Sequence, residues 1–374
     1  MYVHIFSQIA AHHVQPLLAF IRDRVLPLSN TKEHVFICCG QEEANNKDWP
    51  SGVELVFASG VTEIRALLQD HLRRKHHLIV HGMYDRALAI ALFLVLRKAD
   101  KATWNIWGSD LYPFLKPYPR LPHQLGNMWL RRSVFRRMAR IAGIPGDFSI
   151  LAADLKGDWH HSPVNHPLRL QRESYAVLLK KAQAYRNDEL TVLLGNSASA
   201  TNRHEDALTM LSRFKHERLR LIIPLSYAGT DEYVERITKV ARRLFDDKVT
   251  ILDEVLTTEE YLELLTQIDV LVLNHRRQEG VGTINSALLL GKKVYLHHSV
   301  STFSHLQAGG VELNDSSMIS SIGFSGFGRW SDDAGRRNHD AVYSMYGQEA
   351  VTQQYLDLFE SIENDAGSRN ASDA

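Results

Sequence analysis

The chain alternates between short apolar segments that look like β-strands and longer segments with helical periodicity, and it does so in two separate blocks. In the first block the strand-like segments include residues 2–7, 35–39 and 77–81, with helix-like segments between them. Alternation of this kind predicts parallel sheets covered by helices, as in Rossmann-like domains. The predicted fold class is therefore α/β.

The alternation is interrupted between the two blocks by a stretch that contains prolines and a run of charges. A chain of 374 residues is long enough for two domains. We predict one Rossmann-like domain over residues 1–165, a connection over 166–189, and a second such domain over 190–345. The two should face each other across a central cleft. Residues 346–374 are expected to form a final helix and, from Asn364, a disordered tail.

Charge and hydropathy exclude several classes of protein. Forty-three basic residues balance 43 acidic ones, which argues against a nucleic-acid-binding protein. The longest apolar run, residues 88–96, is much shorter than the roughly 20 residues that span a membrane. The N-terminus also has no signal-peptide pattern. We expect a cytoplasmic protein that is soluble or lies on a membrane surface.

A first candidate phosphate-binding loop follows the strand at residues 190–194. Gly195, Asn196 and Ser197 come directly after this strand, and Asn202 and His204 lie at the start of the next helix. Ligands of open α/β sheets bind at the carboxyl ends of the strands, and free N–H groups at a helix start attract anions. A tight turn with an ordinary helix cap would explain the same residues.

A second candidate loop, residues 276–283, contains Gln278, Gly280, Gly282 and Thr283 between a strand and a helix. Its glycines resemble those of phosphate-binding loops, and Thr283 could donate to a phosphate oxygen. The loop is neither a Walker loop nor a G-x-G-x-x-G motif, because Asn285 stands at the third glycine position. Its place late in the second block favours a nucleotide-sugar transferase over a dehydrogenase.

Candidate acid–base residues cluster at one predicted sheet edge. Asp110 follows the strand at 103–107, His81 ends a neighbouring strand, and His12 and His13 precede the first helix. A carboxylate at a strand end could accept the proton of a hydroxyl group. An aspartate that caps a turn fits the same spacing equally well.

The sequence has no strong metal-binding pattern. Its paired histidines are adjacent in the chain, and it contains no HExxH, CxxC or Asp-x-Asp motif. We therefore predict no metal and no other cofactor, and expect N–H groups and side chains to neutralise a bound diphosphate.

Residues 127–142 are predicted to form a basic amphipathic helix. Arg132, Arg136 and Arg140 recur at every fourth position beside an apolar stripe. Such a helix can lie on an anionic membrane surface. A helix that packs on the core and exposes its basic face would have the same pattern.

Together these motifs resemble the TDP-N-acetylfucosamine:lipid II N-acetylfucosaminyltransferase family, the 4-alpha-L-fucosyltransferases of glycosyltransferase family 56. The resemblance runs from His12 to about Leu306. The motifs that carry it are HH at 12–13, HG at 81–82, WxIWGSDLY at 104–112, LLGNS at 193–197, NRH at 202–204, IIPLSY at 222–227, Glu254 before EEYLELL, and RQEGVGT at 277–283.

The resemblance implies a GT-B glycosyltransferase, with the acceptor domain first and the nucleotide-sugar donor domain second. The enzyme would move a 4-acetamido-4,6-dideoxyhexose from TDP to an undecaprenyl-diphosphate-linked saccharide, as in enterobacterial common antigen synthesis. It would act as a peripheral protein at the cytoplasmic face of the inner membrane.

The resemblance also implies roles for individual residues. Asp110, His81, His12 and His13 would face the acceptor, with Asp110 as the base and either His13 or His12 as its rival. The residues implied to line the donor site are Gly195, Asn196, Ser197, Tyr227, Gln278, Gly280, Gly282 and Thr283, with Glu254 suited to a ribose hydroxyl or the sugar.

Alternative functions share this architecture. An epimerase or phosphorylase acting on nucleotide sugars or sugar phosphates is one, and a transferase for a different sugar and acceptor is another. A non-catalytic module that keeps a degenerate nucleotide site is a third. A dehydrogenase is the weakest alternative, because no G-x-G-x-x-G motif follows the first strand.

Overall fold

The computed structural model describes residues 1–7, 11–30, 33–40, 53, 55–97, 100–115 and 122–372; of these, residues 11, 12, 100, 122–124 and 366–372 are described by their backbone alone. The chain divides into two compact units. Unit 1 comprises Met1–Arg169 and Gln348–Ala374, and unit 2 comprises Leu170–Gly347. Each unit contains one parallel sheet with alternating helices, so the predicted α/β class is confirmed.

Unit 1 is built on a seven-stranded sheet in the order β3-β2-β1-β4-β5-β6-β7. Its strands are β1 (Tyr2–Ser7), β2 (His34–Cys39), β3 (Leu55–Ala58), β4 (His77–His81), β5 (Asp100–Asn105), β6 (Met138–Ala142) and β7 (His160–Ser162). Its first five helices are α1 (Ala11–Phe20), which continues into a π-helical turn (Ile21–Val25), α2 (Gly60–Arg73), α3 (Arg86–Val95), α4 (Pro122–Phe135) and α5 (Pro145–Leu155).

Unit 2 is built on a six-stranded sheet in the order β10-β9-β8-β11-β12-β13. Its strands are β8 (Leu190–Leu194), β9 (Leu219–Pro224), β10 (Val249–Leu252), β11 (Val270–Leu273), β12 (Lys293–Leu296) and β13 (Asn314–Asp315). Its helices are α6 (Arg172–Ala184), α7 (His204–Leu211), α8 (Asp231–Phe245), α9 (Thr258–Gln267), α10 (Val281–Leu289), α11 (Ser301–Ala308), α12 (Phe324–Gly328) and α13 (Asp332–Tyr346).

Both sheets have the doubly wound order in which the first strand lies between the second and the fourth. β1 pairs with β2 and β4, and β8 pairs with β9 and β11. The connections on the two sides of the first strand run in opposite directions, which leaves a crevice at the carboxyl ends of these strands. In each unit this switch point is where a ligand is expected.

A final helix, α14 (Gln348–Ser372), returns to unit 1. It buries Val351, Tyr355 and Phe359 in the same core as Leu17 and Leu18 of α1. The opposite face of the unit-1 sheet has a second core, which contains Trp104 and helices α2 to α5. The helix repeat places apolar residues of α14 on one face, and their burial explains why this polar-looking segment is ordered.

Two predicted boundaries differ from those of the structure. The segment 166–189, predicted as an irregular connection, contains α6, which packs against α9 within unit 2. The tail predicted to be disordered from Asn364 is instead part of α14, which extends to Ser372. In α6 one apolar face, which buries Tyr175 and Ala182, anchors an otherwise polar helix.

The predicted basic helix over 127–142 is wrong. α4 ends at Phe135 and β6 begins at Met138, so Arg140 lies on a strand and not on the helix that carries Arg132. Arg132 is buried and pairs with Asp154, and Arg140 is buried and pairs with Asp365. Of the predicted row only Arg136 is exposed. The three arginines have helical spacing in the sequence, but they are divided between a helix, the turn after it and a strand.

Among the helices that lie within the described ranges, none combines the length and the apolar character needed to cross a membrane.

Candidate functional site

The switch point of unit 2 begins at Gly195, directly after β8. Its φ of 80° lies in the left-handed region that favours glycine. A Cβ atom here would meet Nε2 of His204 at 2.3 Å, so the close approach of the two also requires glycine. The chain therefore turns sharply at the carboxyl end of the strand, a geometry that both interpretations of this motif share.

Three predicted donor residues support this loop from behind. Asn202 Oδ1 accepts from Asn196 N at 3.1 Å, and Asn202 Nδ2 donates to Ser197 Oγ at 3.2 Å. His204 Nδ1 lies 2.9 Å from Tyr233 OH, and burial lowers the pKa of His204 to about 4. Ser197, Asn202 and His204 are buried and hold the loop through these contacts; their place in the donor site stays a prediction.

The loop after β11 packs against the loop after β8. Thr201 Oγ1 donates to Glu279 Oε2 at 2.7 Å, and Arg277 Nη2 donates to the same oxygen at 3.0 Å. A Cβ atom on Gly280 would lie 3.1 Å from the side chain of Asn196. The two predicted phosphate-binding loops therefore form one continuous surface at the carboxyl ends of β8 and β11.

Several polar atoms of this surface are buried without a partner. Within the described ranges, Asn196 Oδ1, Gln278 Oε1 and Glu279 Oε1 accept no hydrogen bond. Leaving a buried acceptor unsatisfied costs about 1–3 kcal/mol. A ligand with hydroxyl or N–H groups would satisfy all three atoms.

The start of α10 supplies the complementary donors. Gly280 precedes the helix with a φ of 65° and offers no side-chain cap, and no atom lies within 4 Å of a Cβ built on Gly282. The first N–H groups of α10 are thus open to an anion. α7 is less suitable, because Glu205 and Asp206 occupy its first turn. Of the two helix starts, α10 therefore fits an anion better than α7.

The remaining donor predictions fall at different distances from this surface. Tyr227 is exposed, and its carbonyl oxygen accepts from Ala198 N at 2.8 Å in the loop after β8. Thr283, on α10, places its Oγ1 3.1 Å from the OH of Tyr261 on α9. Glu254 is exposed after the edge strand β10, two strands away from β8. The structure therefore brings Tyr227 and Thr283, but not Glu254, to the two loops.

A cluster with metal-ligand chemistry lies nearby, although no metal site was predicted. Among the described residues, His297, His298 and Asp315 place their ligand atoms within 4.8 Å of one another. Asp315 Oδ1 already accepts from Ser317 N at 3.0 Å, and Oδ2 accepts from Ser317 Oγ at 2.6 Å and faces His298 Nδ1 at 2.8 Å. Arg276 adds a positive charge beside Asp315. We therefore assign the cluster to holding the turn after β12.

At the switch point of unit 1, aromatic rings surround the carboxyl edge of the sheet. Tyr84 OH lies 3.1 Å from Ser109 Oγ, and the rings of Tyr84 and Trp107 are 6.1 Å apart. The exposed ring of His13 lies 6.2 Å from Trp107 and 6.2 Å from His166 in edge-to-face geometry. Of the predicted acceptor-facing residues, His13 is the one that the structure leaves accessible. The side chain of His12 lies outside the described residues.

The carboxylate of Asp110 is buried and accepts hydrogen bonds at both oxygens. It is 1 % exposed; its Oδ2 accepts from Trp104 Nε1 at 2.7 Å and from Met83 N at 2.9 Å, and its Oδ1 accepts from Trp107 N at 2.9 Å. Burial raises its pKa, and the three donors oppose that rise. The carboxylate ties β5 to the turn after β4, as the turn-capping interpretation expects, and the role of Asp110 as a base stays a prediction.

His81 is also buried and belongs to a chain of histidines. Its Nδ1 lies 3.3 Å from Asn105 Nδ2, and its Nε2 lies 3.0 Å from His4 Nδ1. The chain continues from His4 Nε2 to His34 Nδ1 at 3.0 Å and then to Ser29 Oγ. Both ring nitrogens of His81 thus have partners inside unit 1, and its place facing an acceptor stays a prediction.

The family follows from the sequence as a whole. The family model described as 4-alpha-L-fucosyltransferase, glycosyl transferase group 56, matches residues 1–311. The chain belongs to this family. It is therefore a glycosyltransferase, and the predicted family and enzyme class are confirmed.

Solved structures with the same fold include three glycosyltransferase relatives at low identity. Sucrose-phosphate synthase (tll1590) from Thermosynechococcus elongatus has a TM-score of 0.70 at 11 % identity, covering 98 % of this chain and 100 % of that one. Alr3699/HepE from Anabaena, in complex with UDP, has 0.67 at 12 %, covering 96 % and 100 %. A glycosyltransferase from Rickettsia africae ESF-5 has 0.65 at 11 %, covering 96 % and 98 %. The predicted GT-B fold is confirmed.

Sequence reasoning missed two features of the glycosyltransferase site. Glu279 lies inside the quoted RQEGVGT segment, and its charge between Gln278 and Gly280 was the available signal. The pair of Tyr84 and Ser109 joins two strand ends that are distant in sequence, so no local pattern could have indicated it.

Proposed function

We propose that this glycosyltransferase uses a TDP-linked 4-acetamido-4,6-dideoxyhexose as donor and a polyprenyl-diphosphate-linked saccharide as acceptor, as in enterobacterial common antigen synthesis. Its family and the motifs that carry the resemblance support this choice. The relative HepE, determined with UDP and glucose, supports a nucleotide-sugar ligand in this fold. We also propose that the enzyme acts as a peripheral protein at the cytoplasmic face of the inner membrane.

The buried acceptors of unit 2 are the observation that carries the donor assignment. Asn196, Gln278 and Glu279 each have an oxygen without a partner within the described part of the chain. Sugar hydroxyls, an acetamido N–H and the thymine N–H are suitable donors for them. We assign the diphosphate to the start of α10, where backbone N–H groups and the helix dipole favour negative charge. No metal is required for this arrangement.

The acceptor is assigned to the edge of unit 1. Trp107 and Tyr84 offer aromatic faces and a hydroxyl to a saccharide, and His13 is an exposed imidazole beside them. In the reaction the acceptor hydroxyl oxygen forms a bond to the anomeric carbon. The bond between that carbon and the diphosphate breaks, and TDP leaves with the electron pair. His13 would take the hydroxyl proton, which makes it our candidate base in place of Asp110.

Nucleotide selectivity and transfer test the proposal together. A nucleotide at a hundred times its dissociation constant stabilises the folded state by about 2.7 kcal/mol, so TDP should raise the melting temperature more than UDP, GDP or ADP. Label should then pass from a TDP-4-acetamido-4,6-dideoxyhexose to a polyprenyl-diphosphate saccharide. Stabilisation by UDP or GDP alone would reject the TDP assignment and leave the transferase class intact. Conversion of the donor without any acceptor would favour an epimerase.

A further inference from the structure

Three large apolar side chains are exposed on two adjoining helices of unit 1. On α4, Trp129 is 61 % exposed and Leu125, one turn before it, is 48 % exposed; on α3, Leu94 is 50 % exposed. The helices pack together, and the Trp129 ring lies 5.3 Å from the ring of Phe93, the neighbour of Leu94. We call the surface formed by Leu94, Leu125 and Trp129 the α3–α4 face.

The charged residues on the two helices of the α3–α4 face have one sign. Neither α3 nor α4 contains an acidic residue. Arg97 follows α3 and Arg136 follows α4, and both are exposed. The nearest carboxylate before α3, Asp85, caps that helix, and its Oδ1 accepts from Leu88 N at 3.0 Å. The face is thus apolar and flanked by positive charge, which complements an anionic surface.

The other arginines of this region hold α4 in place. Arg131 Nη2 donates to Tyr84 O at 2.8 Å, Arg132 Nη1 donates to Phe114 O at 3.1 Å, and Arg137 Nη1 donates to Leu96 O at 3.2 Å. These bonds join α4 to the end of α3 and to the segments that follow β4 and β5. Trp129 is therefore held on the outer side of a fixed helix.

We propose that the α3–α4 face docks on the surface of a bilayer that contains anionic phospholipid. Tryptophan prefers the interface between hydrocarbon and water, leucine adds buried apolar area, and arginine is attracted by anionic headgroups. α4 connects β5 to β6, so its first turn, with Leu125, lies at the carboxyl edge of the sheet, where Trp107 and Tyr84 are found. Docking would bring this edge to the level of the lipid headgroups.

The inference rests on the proposed function only in expecting a lipid-linked acceptor, since the docking itself needs neither donor nor acceptor. Co-sedimentation of the full chain with vesicles of phosphatidylethanolamine and phosphatidylglycerol tests it. The double variant Trp129→Glu, Leu125→Glu should lower the vesicle partition coefficient by about ten-fold or more. Arg136→Glu should weaken binding to these vesicles and have no effect on phosphatidylcholine vesicles. TDP-dependent stabilisation, measured on the same samples, should be unchanged.

Val177→Glu is the matched control, because Val177 on α6 is 67 % exposed and lies in unit 2. This variant should bind vesicles as the parent protein does. Equal binding by the parent and the double variant would overturn the proposal. Failure of the parent to bind, together with a dimer that the double variant disrupts in sedimentation velocity, would also overturn it and identify a self-association surface. TDP stabilisation reports on the proposed function separately from either result.

Discussion

Glu279 Oε2 accepts a hydrogen bond of 2.7 Å from Thr201 Oγ1, which joins the loop after β11 to the loop after β8. Arg277 donates to the same oxygen and so fixes the carboxylate from a second direction. The other oxygen, Oε1, is buried and without a partner in the part of the chain that the structure describes. One oxygen thus holds the loops together, and the other is available to a donor sugar hydroxyl.

Glu279→Gln should lower kcat by about 100-fold, a loss typical of removing a preorganised electrostatic contact in a transferase site. The amide keeps the shape and can still accept from Thr201, but it removes the negative charge that favours positive charge at the anomeric carbon. TDP-dependent stabilisation should remain. Steady-state transfer kinetics and thermal shifts on the same preparation measure both quantities. A kcat within two-fold of the parent value would exclude Glu279 from the reacting centre.

Gly195→Ala and Gly282→Ala should separate folding from nucleotide binding. The alanine at 195 would collide with His204 Nε2 at 2.3 Å and adopt a positive φ, so it should lower the melting temperature. The alanine at 282 has no atom within 4 Å and should leave the melting temperature unchanged. It should nevertheless weaken TDP binding, because the methyl group lies where an anion would approach the start of α10. Calorimetric titration with TDP provides the second measurement. Unaltered TDP affinity in Gly282→Ala would move the diphosphate away from this helix.

Asp110→Asn should lower the free energy of unfolding and leave kcat nearly unchanged. The oxygen of the asparagine amide can keep the bonds from Trp104 and Met83, but the NH2 group would then face the N–H of Trp107. An unsatisfied buried donor costs about 1–3 kcal/mol. Urea unfolding should therefore shift to lower concentration, while kcat per folded molecule stays within about three-fold of the parent value. A loss of kcat by orders of magnitude with unaltered unfolding would restore Asp110 as the base.

The sequence indicated the architecture well because strand and helix periodicities are local. The doubly wound sheets and the two loops after β8 and β11 fall where the pattern predicted. The roles of polar side chains depended on contacts between distant residues. Asp110 meets Met83 from the turn after the neighbouring strand, and Arg140 meets Asp365 more than two hundred positions away. Neither partner can be inferred from spacing.

The same limit explains the error in the basic row. Arg132 and Arg140 fit one helical repeat only if the helix continues through Met138. The helix instead ends at Phe135, and Arg140 lies on the buried strand β6. In contrast, the turn at Gly195 could be inferred because its constraint is local: the chain turns directly after β8 with a positive φ. Local backbone conformation could therefore be predicted from the sequence, and contacts between distant side chains could not.

The histidine chain of unit 1 should make stability depend on pH in the mildly acidic range. Burial is the main cause that lowers the pKa of His81 to about 3 and that of His4 well below its usual value, with neighbouring histidines adding to the effect. As the pH falls below about 6.5 the unfolded chain binds protons that the folded unit does not, so the free energy of unfolding falls by up to about 1.4 kcal/mol per pH unit for each such histidine. The contribution is complete above pH 6.5 and is lost as the pH falls.

The double variant His4→Gln, His81→Gln removes both titrating groups and leaves polar side chains in their place. The slope of unfolding free energy against pH between 6.5 and 5 should decrease by about 2 kcal/mol per unit relative to the parent protein. Urea unfolding at several pH values measures the slope. His160→Gln, at an exposed histidine on β7, is the control and should leave it unchanged. An equal slope in the parent and the double variant would mean that His4 and His81 already bind protons in the folded unit.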